Sequence, residues 1–314
     1  MNILVSMRYL AALHEHRHFG RAAQACGITQ PALSNALRAL EAEFGAVIVR
    51  RGRTYAGLTH EGEQVLRTAR RMLHEHEQLR QNLSAGGGRL QGTLRMAAVP
   101  TAVPVLARFA ALLQAREPGI VPVVLSMSSL ELETGLESLA LDLALGYTGR
   151  THVREVKVAA LPQYTEHYFF VRRAAGPQAA TLRIGAPLGW REAAAHRLCL
   201  LTREMHNRAI VDEAFAQAGA PVQPAIETNS VLALALAVAA GEVCAVLPGA
   251  VLAAVRGYRD LEALPLVAPE VHTPIGCMVH ASERPSRALE AALAVLASPP
   301  WQAHRDAHAG AVGG

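Results

Sequence analysis

The sequence predicts an α/β chain in two parts: a winged helix-turn-helix with a linker helix, then a larger α/β domain. Three observations carry this prediction. Residues 19–44, FGRAAQACGITQPALSNALRALEAEF, read as two helices around a tight turn. An arginine-rich segment, VIVRRGRTYAGL (47–58), follows with the pattern of two short strands about Gly52. Beyond a glycine-rich stretch at 84–88, apolar strands alternate with amphipathic helices almost to the end of the chain.

In the helical pair, Leu33, Leu37 and Leu40 recur at i, i+4 and i+7 and give the second helix one apolar face. Pro31, Ser34, Asn35 and Arg38 fall on the other face. Gly27 supplies the positive φ that turns the chain, Thr29 stands as N-cap, and Pro31 is tolerated in the first turn, where its missing N–H is not needed. Ala22 and Ala23 let the first helix approach closely. Such a hairpin is also a common packing unit. Charge separates the two readings. Residues 1–60 hold seven arginines (Arg8, Arg17, Arg21, Arg38, Arg50, Arg51, Arg53) against three acids (Glu15, Glu41, Glu43), a balance of +4 that equals the net charge of the whole chain. A basic excess confined to one end is the footprint of a nucleic-acid-binding module. Arg50, Arg51 and Arg53 then reach phosphates or a minor groove, although an arginine cluster also suits a solvated loop.

Thr59 is placed to cap the next helix, with Glu61 and Glu63 near its N-terminal dipole. Val65, Ala69, Met72, His76, Leu79 and Leu83 step by 4, 3, 4, 3 and 4, a heptad seam flanked by charge that suits a dimer, although the same spacing also suits a helix lying on its own domain's core. His76 is a polar insertion in that seam. Ser84-Ala85-Gly86-Gly87-Gly88 is the clearest linker in the chain. These signals divide the chain into a DNA-binding part (1–60), a dimerisation helix and linker (61–88), a domain over 89–300 and a disordered tail (301–314).

In the second domain TLRMAAV (93–99), VPVVLSM (121–127) and LDLALGY (141–147) read as parallel strands. A helix capped by Thr101 follows the first, and one capped by Ser128 or Ser129 follows the second. A further unit begins near Tyr164, with strands LCLLT (198–202) and VCAVLP (243–248) and helices at about 207–218 and 229–240. The expected lobes are about 89–162 with 268–300, and 163–267. Thr101, Ser129, Thr202, His206, Asn207, Arg208 and Thr228 gather at strand-to-helix junctions, where ligands lie against helix N-termini. Each Ser or Thr also reads as a simple cap. Together they favour a small polar, anionic metabolite such as a short-chain carboxylate, formate included.

The ordered pattern FGRAA, ITQPALSNALRALE and VIVRRGRTYAGLTHEG resembles the N-terminus of LysR-type transcriptional regulators. The resemblance implies a bacterial DNA-binding regulator of transcription. Its recognition helix presents Gln30, Pro31, Ala32, Ser34, Asn35 and Arg38 to the major groove of double-stranded DNA. It further implies a homodimer or homotetramer joined by the linker helix, RNA polymerase as a partner, and a two-lobed effector domain similar to periplasmic binding proteins. Thr101 and Ser129 match positions that contact effectors in that family, and Thr202 and His206 face them from the second lobe. MNILVSMRYLAALHEHRHF is closest to the peroxide-sensing branch.

A redox-responsive regulator is therefore the alternative, but the loop REMHNR carries no cysteine where that branch needs one. Cys26, Cys199, Cys244 and Cys277 sit in apolar or helical surroundings, which suits inert packing groups and a reducing cytoplasm. An enzyme is the weaker alternative, since no P-loop, GxSxG, HExxH or CxxC occurs. In the clusters His14-Glu15-His16-Arg17-His18 and His74-Glu75-His76, i and i+2 side chains fall on different helix faces, and His14 and His18, better spaced at i and i+4, have no evident third ligand, so no metal is expected. No cofactor beyond a small-molecule effector is anticipated. The 51% hydrophobic and 18% charged composition supports a substantial core and argues against disorder, and no run reaches transmembrane length.

Overall fold

Three helices, a wing and a long helix build the first unit: α1 (Ile3–His16), α2 (Phe19–Ala25), α3 (Gln30–Phe44), β1 (Val49–Arg51), β2 (Tyr55–Leu58) and α4 (His60–Leu83). The computed structural model describes residues 2–52, 55–83, 90–149, 158–174, 181–281 and 285–310. The chain divides into two compact units, one of Met1–Arg89 and Ser138–Ala140, the other of Leu90–Glu137 and Leu141–Gly314.

Local chemistry sets the helix ends of the first unit. The Oδ1 of Asn2 accepts the Val5 N–H at 3.2 Å, and the Nδ1 of His18 accepts those of Gly20 and Arg21 at 3.1 and 3.3 Å. One histidine of the N-terminal cluster is thus a helix cap. Thr29 caps α3 through Ala32 N–H at 3.4 Å, and Gly27 at φ +67° makes the turn before it. Leu33, Leu37 and Leu40 are fully buried against Leu10, Leu13, Ala22 and Ala23. The Oε1 of Glu41 accepts the N–H groups of Ile48 and Val49 at 3.0 and 3.1 Å, which ties the antiparallel β1–β2 wing to α3. Thr59 caps α4 through Gly62 N–H at 2.9 Å. A Cβ on Gly62 would collide with the Ile48 carbonyl, so the start of α4 can lie against the wing only with glycine there.

The second unit holds two mixed sheets. The first has the order β4–β3–β5–β14–β6, from β3 (Gly92–Ala98), β4 (Ile120–Ser126), β5 (Leu143–Tyr147), β6 (Val158–Glu166) and β14 (Thr273–His280). Helices α5 (Val103–Arg116) and α6 (Ser129–Glu137) connect its parallel strands. The second sheet runs β11–β10–β12–β7–β13–β8, with β9 also on β13. Its strands are β7 (Tyr168–Arg173), β8 (Arg183–Ile184), β9 (Leu188–Gly189), β10 (Leu198–Leu201), β11 (Ile226–Thr228), β12 (Cys244–Pro248) and β13 (Leu261–Val267). Helices α7 (Trp190–Ala193), α8 (His206–Gln217), α9 (Val231–Ala240) and α10 (Gly249–Ala254) belong to this lobe. The parallel cores are as expected, but antiparallel β6, β7, β13 and β14 complete each sheet. The chain crosses between lobes at His167 and again over 268–272. The first crossing falls there, rather than near Tyr164, because Tyr164 still pairs with Ile275 in the first sheet.

Two further expectations are corrected. Thr101 caps no helix: it lies in a short 3-10 turn, Pro100–Ala102, and the N-cap of α5 is Ala102. The tail expected to be disordered from residue 301 forms α12 (Pro299–His308), after α11 (Arg287–Leu296). The physical reason is Trp301, which is 1% exposed, packs edge-on against Phe109 at 5.1 Å and donates its indole N–H to Gln163 at 2.9 Å. Residues 311–314 lie outside the described residues.

Candidate nucleic-acid interface and effector cleft

The amphipathic pattern of α3 turns its polar face outward. Gln30, Pro31, Ala32, Asn35 and Arg38 are exposed and Ser34 is half-buried. The Oδ1 of Asn35 accepts a bond from Arg38 Nη1 at 3.2 Å, so the two side chains stand as a paired polar surface. Arg50 is also exposed, on β1 of the wing. The side chain of Arg51 and all of Arg53 lie outside the described residues.

Helix α4 divides the heptad positions by environment. Ala69 is fully buried, Val65 is half-buried against the helical core of the first unit, and Leu66 fills the inward position beside them. Met72 and Leu79 are 40% and 56% exposed and His76 is half-buried. The seam therefore begins as an intramolecular contact and continues as an uncovered apolar ridge. The Leu83 side chain lies outside the described residues, as does the glycine linker.

In the second unit, junctions of both lobes meet at a small cleft of about 220 Å³, counting its open mouth. Of the seven candidate residues, Thr101, Ser129, His206 and Asn207 line it. Tyr147 at its floor was not anticipated. Its hydroxyl accepts a bond from Asn207 Nδ2 at 3.3 Å and shares one with Thr101 Oγ1 at 3.2 Å, joining β5 of one lobe to α8 of the other. Burial pushes this phenol up to about 12, so it is protonated at neutral pH. The His206 ring stands edge-on to Tyr147 at 4.7 Å. Ser128 Oγ accepts the Glu131 N–H at 3.3 Å while Glu131 Oε2 accepts the Ser128 N–H at 2.8 Å, a closed capping box at the start of α6. Ser129 Oγ, by contrast, is buried with no hydrogen-bond partner among the described residues.

Three candidates face elsewhere. Thr202 donates to Glu204 at 2.7 Å, and Thr228 Oγ1 accepts the Ser230 N–H at 3.1 Å. Arg208 is 2% exposed, and its guanidinium is committed to Asp212 at 2.7 Å, Glu227 at 2.6 Å and the Leu201 carbonyl at 2.7 Å. It anchors α8 to β10 and β11. A signal for this exists in the sequence, since Arg208 and Asp212 stand at i and i+4.

Burial raises all four thiols above their ordinary value, Cys277 to about 12. Cys199 pairs with Ala245 and Cys244 with Leu198 across the neighbouring strands β10 and β12. Alternation then puts the two sulfurs on opposite faces of the sheet, each in a different core cluster, so they cannot bridge. Among the described residues, no group of three or more His, Cys, Asp or Glu side chains is placed to hold a metal ion. No helix among them is long and apolar enough to cross a membrane.

Residues 4–63 match the bacterial regulatory helix-turn-helix protein family of lysR type, and residues 87–298 match the LysR substrate binding domain. The chain belongs to the LysR family. This LysR-type protein is a DNA-binding transcriptional regulator with a C-terminal effector-binding domain, and it is related to the peroxide-sensor branch. It is 39% identical over 106 residues to a hydrogen peroxide-inducible genes activator of Pectobacterium carotovorum subsp. carotovorum, spanning 34% of this chain and 35% of that protein. It is 36% identical over 143 residues to a probable hydrogen peroxide-inducible genes activator of Mycobacterium xenopi, spanning 45% of this chain and 76% of that protein. In fold, it resembles a full-length OxyR variant from Pseudomonas aeruginosa with a TM-score of 0.69 and 24% identity over 93% of this chain and 94% of that one. It also resembles full-length CbnR bound to its target DNA, with a TM-score of 0.65 and 21% identity over 93% and 98% of the two chains. The LysR family is one of non-catalytic regulators, which removes the enzyme reading.

Proposed function

We propose that this LysR-type regulator binds operator DNA as a dimer and that a small anion in the effector cleft modulates that binding. In this reading residues 1–60 read DNA, 61–88 dimerise and link, and 89–300 sense. The observation that carries it is the convergence of Thr101, Ser129 and Asn207 on one cleft whose floor, Tyr147, bonds both lobes. A ligand touching these groups has different contacts in the two lobe arrangements, which is the requirement for a population shift. The support for DNA reading is the exposed Gln30, Asn35 and Arg38 stripe followed by Arg50. The uncovered Met72 and Leu79 support a seam between two copies along α4.

The relatives named as hydrogen peroxide-inducible genes activators suggest peroxide as the signal. The raised thiols and the opposed faces of Cys199 and Cys244 argue against cysteine chemistry here. Selection of duplexes from a random pool by the full chain tests the DNA reading. It should enrich two-fold related half-sites about one helical turn apart. Enrichment of single half-sites, or of nothing, would contradict the dimer proposal.

A further inference from the structure

We infer that His167 and His272 form a two-histidine site for a late first-row divalent metal ion, Cu²⁺ or Ni²⁺, that clips together the two strands joining the lobes. Neither residue lines the effector cleft, and the site does not depend on the cleft's ligand.

The register of the first sheet creates the pair. Strands β6 and β14 are antiparallel, and their ladder ends where Glu166 stands opposite Thr273. His167 and His272 are the next residues on each strand, one on either crossing, so they extend the ladder as a directly opposed pair. Their ring centroids are 4.5 Å apart, with the planes inclined at 57°. The His167 backbone is fixed, because its carbonyl accepts the Gly249 N–H at 2.9 Å. A bond of 3.1 Å between the Tyr168 hydroxyl and Thr273 Oγ1 also ties the two strands.

The spacing selects the ion. An imidazole nitrogen ligates at about 2.0–2.1 Å, so two rings on one ion have centroids about 4.5 Å apart at a right-angle bite and about 5.2 Å apart at a tetrahedral one. The observed value is that of the right angle, which belongs to square or octahedral coordination and favours Cu²⁺ and Ni²⁺ over Zn²⁺.

Electrostatics agree. Burial, then His272, hold the His167 imidazole below the usual histidine value, so at neutral pH it is the neutral, ligating ring. The Glu270 carboxylate acts on the same ring and favours a cation there. The other close pair, His304 and His308, also has centroids 4.5 Å apart, but Arg108 acts on His304 and opposes a dication. His18, His60 and His74 are spent on a helix cap or on glutamines. No third His, Cys, Asp or Glu among the described residues joins the pair, so water completes the coordination and the exposed His272 gives the ion its way in.

Calorimetric titration of the full chain with Ni²⁺ tests this, in excess Mg²⁺, which prefers oxygen ligands. The wild type should bind a Ni²⁺ equivalent that His167→Gln and His272→Gln each lose and His304→Gln keeps. The double variant should lose no more than either single one, since both rings serve one ion. The equivalent should vanish as pH falls well below about 6.5, where protons compete for the imidazoles. Because His272 is exposed, its variant should melt like the wild type without metal, and Ni²⁺ should raise the melting temperature of the wild type more than that of the variant. Retention of the equivalent by either single variant, its loss in His304→Gln, or additive losses in the double variant would overturn the inference. So would a wild type that binds no more Ni²⁺ than the double variant.

Discussion

On the proposed DNA-reading function, Arg38 would supply a contact to bases and Arg50 one to the backbone. Arg38, on the exposed face of α3, should cost ~1–3 kcal/mol when changed to alanine and relax preference at one base-pair position. Arg50→Ala should lower affinity for every sequence about equally and reduce the salt slope by about 1, as read by anisotropy over a salt series. A change in sequence preference alone would remove the phosphate role. Arg208 gives the complementary case. Arg208→Met should lower stability to urea by ~1.5–3 kcal/mol through lost charge-assisted bonds and keep the ligand response. Loss of that response with stability intact would return Arg208 to the binding site. These residues also mark how far sequence reaches. The outward stripe of α3 was legible because its period is local. The partner of Thr101 was not, because Tyr147 lies 46 residues away and only sheet register brings the two together.

At the scale of elements, the wing and α4 are locked by a close approach that the sequence marks only as a glycine. Gly62→Ala should destabilise the first unit by ~1–3 kcal/mol, because the added methyl meets the Ile48 carbonyl and the Leu58 Cβ. An unchanged melting temperature would show that α4 can move off the wing. The first interlobe crossing carries Glu166 at the end of β6, where burial raises its carboxyl to about 8 although Ala250 N–H donates to it at 3.1 Å. The folded state then holds a proton that the unfolded state releases near the ordinary carboxylate value. Stability from this group is present at low pH and falls as pH rises toward 8. Glu166→Gln should therefore lose the part of the decline between about pH 4.5 and 8 that the wild type shows. Parallel stability curves for the two proteins would contradict a raised carboxyl. The antiparallel crossing strands escaped the sequence reading because alternating strands and helices signal only the parallel core. Helix α12 escaped it because one buried tryptophan, rather than a periodic face, holds it down.

For the whole molecule, a helix-turn-helix head, an apolar ridge on a long helix and a two-lobed domain are the parts of a ligand-responsive regulator. Their order along the chain was legible from composition and period, since an arginine wing, a heptad and a glycine linker are each local signals. The cleft was legible only in part. Ser and Thr at strand ends look alike whether they cap a helix or face a ligand, and the fold alone separates Thr228, bonded to Ser230, from Ser129. The central claim is that occupancy of this cleft changes DNA affinity. The direct measurement is anisotropy of the full chain on its selected duplex, at fixed ionic strength, with and without propionate as a representative short-chain carboxylate, for the wild type and Ser129→Ala. The account predicts a shift in the dissociation constant of the wild type, on the order of 5–150-fold, that Ser129→Ala largely removes. An identical dissociation constant with and without propionate, under conditions where calorimetry shows the cleft filled, would contradict it.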